Sequence, residues 1–177
     1  MNTTGLVKTR DFWKIGRMTL TRAVLTLASV ALAATTASAQ DHAMQQRGKI
    51  AMGVDQYTSI HTFDDREDGG RIEFQRDRDD GVGTKAIRAH LRGIVKAFST
   101  GDFSTPAFVH MRDVPGTKVM TERRKHIRYV FRELRRGGEL RITSSDSGAV
   151  RAVHEFLAFQ RADHHAGGHA MHGESHE

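Results

Sequence analysis

The sequence predicts an α+β protein, a two-layer sandwich in which a four-stranded antiparallel sheet carries two helices on one face. Three observations support this prediction. Two stretches alternate apolar and polar residues as strands do, and each contains a Gly-Gly pair. Each is followed by apolar residues at the spacing of an amphipathic helix. The two ββα units match at a separation of 68 residues in the strands and 66 in the helices, which indicates an internal duplication, with chance likeness as the alternative.

The first predicted unit covers about residues 57–100. It comprises a strand over residues 57–63, a turn at residues 68–70, a strand over residues 71–75 and a helix over residues 84–100. The first strand is rich in β-branched and aromatic residues, and the second alternates apolar with polar side chains. Gly101 is suited to cap the helix, because glycine readily adopts the left-handed backbone conformation.

The second predicted unit covers about residues 126–162 and repeats this order. It comprises a strand over residues 126–132, a turn at residues 136–138, a strand over residues 139–143 and a helix over residues 148–162. The matched positions include Gly69-Gly70 with Gly137-Gly138, Ile72 with Leu140, Phe74 with Ile142, and Leu91 with Leu157. The polar loop at residues 144–147 can cap the second helix. Residues 103–121 are predicted to be less regular, because Pro106 and Pro115-Gly116 interrupt them.

The first 39 residues have the three parts of an export signal. A basic leader precedes an uncharged, mostly apolar run over residues 23–36, and Ala37-Ser38-Ala39 forms a small-residue cleavage site. We expect a signal peptide over residues 1–39, cleaved after Ala39, and a periplasmic or secreted protein. The start is Met1 or Met18, and an N-terminal membrane anchor is the alternative. No later apolar run reaches the length of a membrane span, so none is expected after cleavage.

Composition narrows the classes of function. The chain has 177 residues, 11 histidines, no cysteine and a formal net charge of +6. The lack of cysteine excludes disulfides, thiolate metal sites and cysteine nucleophiles. Cleavage would remove five basic residues and one acidic residue, which leaves 22 basic and 20 acidic residues and a net charge of +2. Because this charge is small and export is expected, nucleic acid is not an expected partner.

Beyond the leader we expect a flexible arm over residues 40–55, a single α+β domain over residues 56–165 and a disordered histidine-rich tail over residues 166–177. Five histidines lie in or next to this tail: His164, His165, His169, His172 and His176. Neutral imidazole binds copper, zinc and nickel, so these side chains are candidate metal ligands. The alternative is a solvated tail that binds metal only adventitiously.

Three further histidines form a second candidate metal site in the folded part. His61 shares a strand face with Phe63, His90 lies beside the apolar stripe of the first helix, and His110 follows that helix. If the three converge, they could hold copper or zinc, with the Met52 thioether as a soft ligand for copper. Otherwise each is a half-buried histidine hydrogen-bonded to backbone.

Basic residues are concentrated between residues 121 and 136. Four of them are candidates for binding an anionic envelope surface such as phosphorylated lipid headgroups: Arg123, Arg124, Arg128 and Arg132. Arg128 and Arg132 would share one face of a strand. The alternative is a solvated sheet face whose arginines pair with nearby carboxylates.

The sequence contains no evident set of catalytic residues. Gly81–Ala86 fits a dinucleotide-binding fingerprint, but the predicted hairpin before it is antiparallel, so no nucleotide cofactor is expected. We expect a binding protein for a metal ion or a small ligand, and not an enzyme. The alternatives are a non-catalytic envelope interaction module that uses the arginine-rich sheet face, and a histidine-centred hydrolase for which no nucleophile is visible.

Several short motifs resemble a family of short exported bacterial proteins. They are Arg47-Gly48-Lys49, Met52-Gly53, Ser59–Phe63, Gly69-Gly70, Ile87–Leu91, Gly101–Ser104, His110 and Asp163-His164. The family also has histidines at the positions of His61, His90 and His110, so the resemblance, which covers about residues 46–165, favours a histidine site. Some members carry the label aspartate carbamoyltransferase. This chain lacks the Ser-x-Arg-Thr and His-Pro-x-Gln motifs of that enzyme and is less than half its size, so the resemblance implies a compartment and a shape but no mechanism.

Overall fold

A computed structural model describes residues 42–55 and 58–164. From Ala43 onward the described residues belong to one compact unit. The predicted signal peptide and the predicted tail lie outside the described residues. In the part of the chain that is described, no helix has both the length and the apolar character that crossing a membrane requires.

The predicted α+β class is confirmed, with a four-stranded antiparallel sheet of strand order β1-β2-β4-β3. The strands are β1 (Ser59–Arg66), β2 (Gly69–Arg76), β3 (Ile127–Leu134) and β4 (Gly137–Ser144). The helices are α1 (residues 42–52), α2 (Gly81–Thr100), α3 (Ser104–His110), α4 (Thr117–Glu122) and α5 (Ser147–Asp163). Helix α2 packs mainly on β3 and β4, whereas α5 packs on β1 and β2. Each hairpin is therefore covered by the helix that follows the other hairpin.

The two hairpins have the same register. Phe63 is the cross-strand partner of Ile72 in the first hairpin, and Phe131 is the partner of Leu140 in the second. Ile72 and Leu140 are themselves partners across the central strand pair. The strands are therefore arranged symmetrically about this central pair. Common ancestry of the two ββα units stays a prediction.

Both hairpin turns lie earlier than predicted, at residues 67–68 and 135–136, and the Gly-Gly pairs belong to the strands. Close packing explains the glycines. A Cβ atom on Gly70 would lie 2.2 Å from Leu157 Cδ1, and one on Gly138 would lie 2.4 Å from a ring carbon of Phe131 and 3.0 Å from Leu91 Cδ1. Leu157 of α5 therefore occupies the space beside Gly70, and Phe131 of β3 and Leu91 of α2 occupy the space beside Gly138.

Aspartates fix the first residues of both long helices. The Asp80 carboxylate accepts a hydrogen bond from the Gly83 backbone N–H, so α2 begins three residues earlier than predicted. Asp146 accepts from the N–H groups of Gly148 and Ala149 at the start of α5. The predicted C-terminal cap at Gly101 is confirmed, with φ at 82°.

The segment predicted to be irregular, residues 103–121, contains the two short helices α3 and α4. Pro106 is tolerated because it lies in the first turn of α3, where a backbone N–H has no partner within the helix. Gly116, with φ at 80°, comes directly before α4 and packs against the backbone of Ala152 in α5. Pro106 therefore lies within α3 and Pro115 lies between α3 and α4, so neither proline prevents a helix.

The prediction of a flexible arm over residues 40–55 is wrong for residues 42–55, which contain α1 and its C-terminal extension. Met44 and Val54 are buried, and Val54 packs with Phe74, Ile87 and Leu91. Tertiary contact with the domain buries Met44 and Val54, whereas Ile50 of the same segment is 74% exposed. The folded domain thus includes residues that the sequence pattern assigned to an arm.

Candidate functional site

A cavity of about 90 Å³ lies between α1, α2, α3, the end of α5 and the inner face of the sheet. Four histidines line it: His61 on β1, His90 on α2, His110 on α3 and His164 directly after α5. The rest of the wall is mostly apolar. It includes Met52, Phe63, Ile72, Phe74, Leu91, Ile94, Phe98, Val109, Leu140 and Phe156. We call this space the four-histidine cavity.

His61 is enclosed by aromatic rings. Its imidazole stacks on Phe74 with ring centroids 3.9 Å apart, and it lies nearly parallel to Phe63 at 6.3 Å. Nε2 is buried and has no hydrogen-bond partner among the described residues. Burial, together with repulsion from His164 and His90, lowers the pKa of His61 to about 3. At neutral pH the ring is therefore uncharged.

His90 forms a contact between α2 and α1. Its ring is hydrogen-bonded to the backbone of Ala51, and burial lowers its pKa below the ordinary histidine value. The alternative of a histidine hydrogen-bonded to backbone therefore describes His90. His90 also lines the cavity, so the same side chain both contacts α1 and belongs to the candidate site.

His110 is held by two side chains of α5. Its Nδ1 lies 2.5 Å from Asp163 Oδ2, and its Nε2 lies 3.2 Å from Gln160 Oε1. Asp163 also accepts a hydrogen bond from Arg112 Nη2 at 3.0 Å. A carboxylate on one ring nitrogen fixes the orientation of an imidazole. The orientation of the His110 ring is therefore fixed by α5.

Helix α1 forms one wall of the four-histidine cavity through Gly48, Ala51 and Met52. Arg47 ties α1 to α3, because its Nε donates a hydrogen bond of 2.8 Å to the Val109 carbonyl oxygen. Gly48 leaves room beside Met52, whose Cε would lie 3.4 Å from a Cβ atom at that position. The segment that the sequence assigned to an arm thus completes the site.

The structure brings the predicted ordered histidines, His61, His90 and His110, to one cavity. In the described residues, no group of three or more histidine, cysteine, aspartate or glutamate side chains is arranged to hold a metal ion. Met52, the predicted soft ligand, also lines the cavity. Metal binding by these residues stays a prediction.

The sequence groups His164 with the histidines of the neighbouring tail, but the structure places it with the ordered site. Its ring centroid lies 6.0 Å from that of His61 and 5.0 Å from that of His110. The helical spacing could have predicted this position. His164 follows the buried residues Leu157 and Gln160 by seven and four positions, so it continues the same stripe of α5. The tail histidines His165, His169, His172 and His176 lie outside the described residues.

The four candidate arginines differ in their contacts. Arg123 pairs with Asp146 at 2.5 Å, at the start of α5, and Arg124 donates to the Thr121 carbonyl oxygen at 3.1 Å. Arg128 and Arg132 alternate with Tyr129 and Phe131 along β3 and are exposed on the open face of the sheet. Neither side chain has a hydrogen bond or ion pair with any described residue.

The middle of the open sheet face is neutralised by its own carboxylates. Arg71 pairs with Asp64, and its Nη1 lies 3.3 Å from Glu73 and 3.6 Å from Glu139. Arg141 pairs with Asp68. The predicted alternative of a self-paired sheet face therefore describes β2 and β4, whereas the two arginines of β3 lie outside this network.

Comparisons of the chain with protein-family models, with curated proteins and with solved structures find no match. The resemblance to short exported bacterial proteins stays a prediction from the motifs.

Proposed function

We propose that this protein binds a small ligand in the four-histidine cavity. The observation that carries the proposal is that four histidines from four separate elements, β1, α2, α3 and the end of α5, line one mostly apolar cavity. Ligand sites are commonly apolar cavities with a few convergent polar groups. The buried Nε2 of His61, without a partner among the described residues, adds a polar atom for which a ligand can provide the hydrogen bond.

Solution NMR with isobutyramide as the probe tests this proposal. We expect saturable shifts of the resonances of Phe63, Phe74 and Leu91. The variant Ala51→Phe should abolish them, because it adds a ring from α1 to a cavity of about 90 Å³. Ala89→Phe is the matched control, since Ala89 is exposed on α2. Shifts that persist in Ala51→Phe, or that lie away from the cavity, would contradict the proposal.

A metal ion is the second candidate ligand. The specific observation in its favour is that the lowered pKa values of His61 and His90 keep both imidazoles in the neutral form that binds metals. Titration calorimetry with Cu(I) and Zn(II) should use a variant whose tail histidines, His165, His169, His172 and His176, are replaced by serine. One-to-one binding that is lost in His61→Phe would support copper or zinc in the cavity. Binding that the wild-type protein shows and the tail-serine variant lacks would assign the metal to the tail.

Arg128 and Arg132 support the alternative proposal of an envelope interaction surface. Both are exposed on β3 and have no ion pair within the described residues, so they are accessible to an anionic surface. Co-sedimentation with anionic phospholipid vesicles should fall when both are replaced by glutamate. Arg151→Glu, an exposed change on α5, is the control. Equal binding by the double variant and the control would contradict this proposal.

Export to the periplasm or outside the cell belongs to the same proposal. It is supported by the basic leader, the apolar run and the Ala37-Ser38-Ala39 motif. Mass spectrometry of the exported protein should give an N-terminus at Gln40. Retention of the leader on a membrane-bound protein would favour the anchor.

A further inference from the structure

We infer that the four-histidine cavity takes an uncharged, largely apolar ligand that offers one hydrogen-bonding group to the histidines. This inference rests on the proposed binding function and specifies its ligand class.

The lining of the cavity carries the argument. None of the described residues that line it is aspartate, glutamate, lysine or arginine. A charged ligand would lose its hydration there without meeting an opposite charge on the wall, and burying an unpaired charge is costly. The nearest carboxylate named in the site, Asp163, is already bonded to His110 and Arg112.

Neither His61 nor His90 supplies the missing charge. His61 is packed between Phe74 and Phe63, and His90 is bonded to the backbone of α1, so both rings are withdrawn from water. Burial lowers the pKa of each, which favours the neutral ring at neutral pH. A neutral imidazole can donate one hydrogen bond and accept one. These two imidazoles therefore recognise hydrogen-bonding groups and provide no counter-ion.

Size limits the ligand further. A cavity of about 150 Å³ accommodates benzene, so the space of about 90 Å³ accommodates on the order of four non-hydrogen atoms. About four non-hydrogen atoms of a ligand, its polar group included, therefore fit among the histidines. Isobutyramide has six, so part of its carbon group extends beyond the space that the histidines enclose.

Three probes of equal shape and different charge test the inference: isobutyramide, isobutyrate and isobutyramidinium. Each is titrated into the full protein, and the resonances of Phe63, Phe74 and Leu91 report binding. We expect isobutyramide to bind and the two ions to bind at least about 100-fold more weakly. Equal or tighter binding of either ion would overturn the inference and leave the binding function standing. Unchanged resonances with all three would contradict the binding function itself, and with it the inference.

The variant His61→Phe separates the hydrogen bond that His61 offers to a ligand from the apolar contacts of the cavity wall. His61→Phe keeps a ring that can stack on Phe74 but removes both nitrogens. We expect the affinity for isobutyramide to fall about tenfold and the affinity for xenon, an apolar probe, to stay the same. His126→Phe, an exposed change, should alter neither. An unchanged affinity for isobutyramide in His61→Phe would show that His61 does not provide the hydrogen bond.

Discussion

Leu157 of α5 packs directly over Gly70 of β2, and its counterpart in the first half, Leu91 of α2, packs over Gly138 of β4. Ile72 and Leu140 face each other at the centre of the sheet between these two contacts. Because each helix covers the hairpin of the other half, neither ββα unit can bury its apolar face alone. The sheet and both helices therefore depend on the long-range pairing of β2 with β4.

Adding a methyl group at either contact should destabilise the fold. Gly70→Ala and Gly138→Ala place a Cβ atom 2.2 Å from Leu157 and 2.4 Å from Phe131, respectively, so side chains must shift. We expect each to lower the free energy of unfolding by about 1–3 kcal/mol in urea denaturation. Gly93→Ala on α2 is the control. Nothing lies within 4 Å of its Cβ position, and alanine should stabilise the helix by up to about 1 kcal/mol. Equal effects at all three positions would contradict the packing argument.

The buried ion pair between Asp65 and Arg161 should contribute more than an exposed one. Arg161 Nη1 lies 3.0 Å from Asp65 Oδ1, with side chains 14% and 5% exposed, and it also donates to the Phe63 carbonyl oxygen. Arg161→Met leaves a buried carboxylate without its partner and should cost about 3 kcal/mol of unfolding free energy. Arg135→Met breaks the pair with Asp79, whose side chains are 80% and 72% exposed, and should cost under about 1 kcal/mol. Similar losses measured by urea denaturation would refute this ranking.

Asp163 should stabilise the contact between α3 and α5. Asp163→Asn removes the carboxylate that His110 and Arg112 share, and we expect the free energy of unfolding to fall by about 1–3 kcal/mol. Hydrogen exchange should rise in α3, because that helix loses its side-chain contact with α5. Asp113→Asn, an exposed neighbour, should change stability by less than about 0.5 kcal/mol. Unchanged exchange in α3 would show that the carboxylate does not hold that helix.

The burial of His61 should make stability depend on pH in a defined direction. Its pKa is about 3 in the folded protein, against 6.5 for an unperturbed histidine, so between these values the unfolded chain binds a proton that the folded chain does not. Stability is thus retained above about pH 6.5 and declines as the pH falls toward 3, by up to about 1.4 kcal/mol per pH unit. His90 acts in the same direction.

Urea denaturation at several pH values between 4 and 8 measures this effect. His61→Phe should reduce the slope in the acidic range. Phe74→Leu, which disturbs the same ring contact without removing a titratable group, should lower stability at every pH and keep the wild-type slope. An identical slope in His61→Phe and wild type would contradict the proposed role of His61.

The sequence by itself determined the α+β class, the positions of the four strands and the two long helices, and the Gly101 cap. These features follow from local rules, since hydrophobic period and glycine preference are properties of neighbouring residues. The spacing of 68 residues also anticipated that Ile72 and Leu140 occupy equivalent positions. It did not show that they would be direct cross-strand partners, because pairing between halves is a long-range contact.

The candidate site likewise combines features that the sequence predicts with features that depend on long-range contacts. The sequence selected His61, His90 and His110, but only the tertiary structure placed them on one cavity, together with His164. It also showed that residues 42–52 form a helix that closes the site, although their apolar content is too low to predict burial. Burial depends on which surfaces meet, and β1, α1, α2, α3 and α5 meet here only after the two halves have paired. The metal-binding and hydrogen-bonding chemistry of the imidazoles follows from the sequence. Their shared enclosure, and the neutral state of His61 and His90, come from the packing around them.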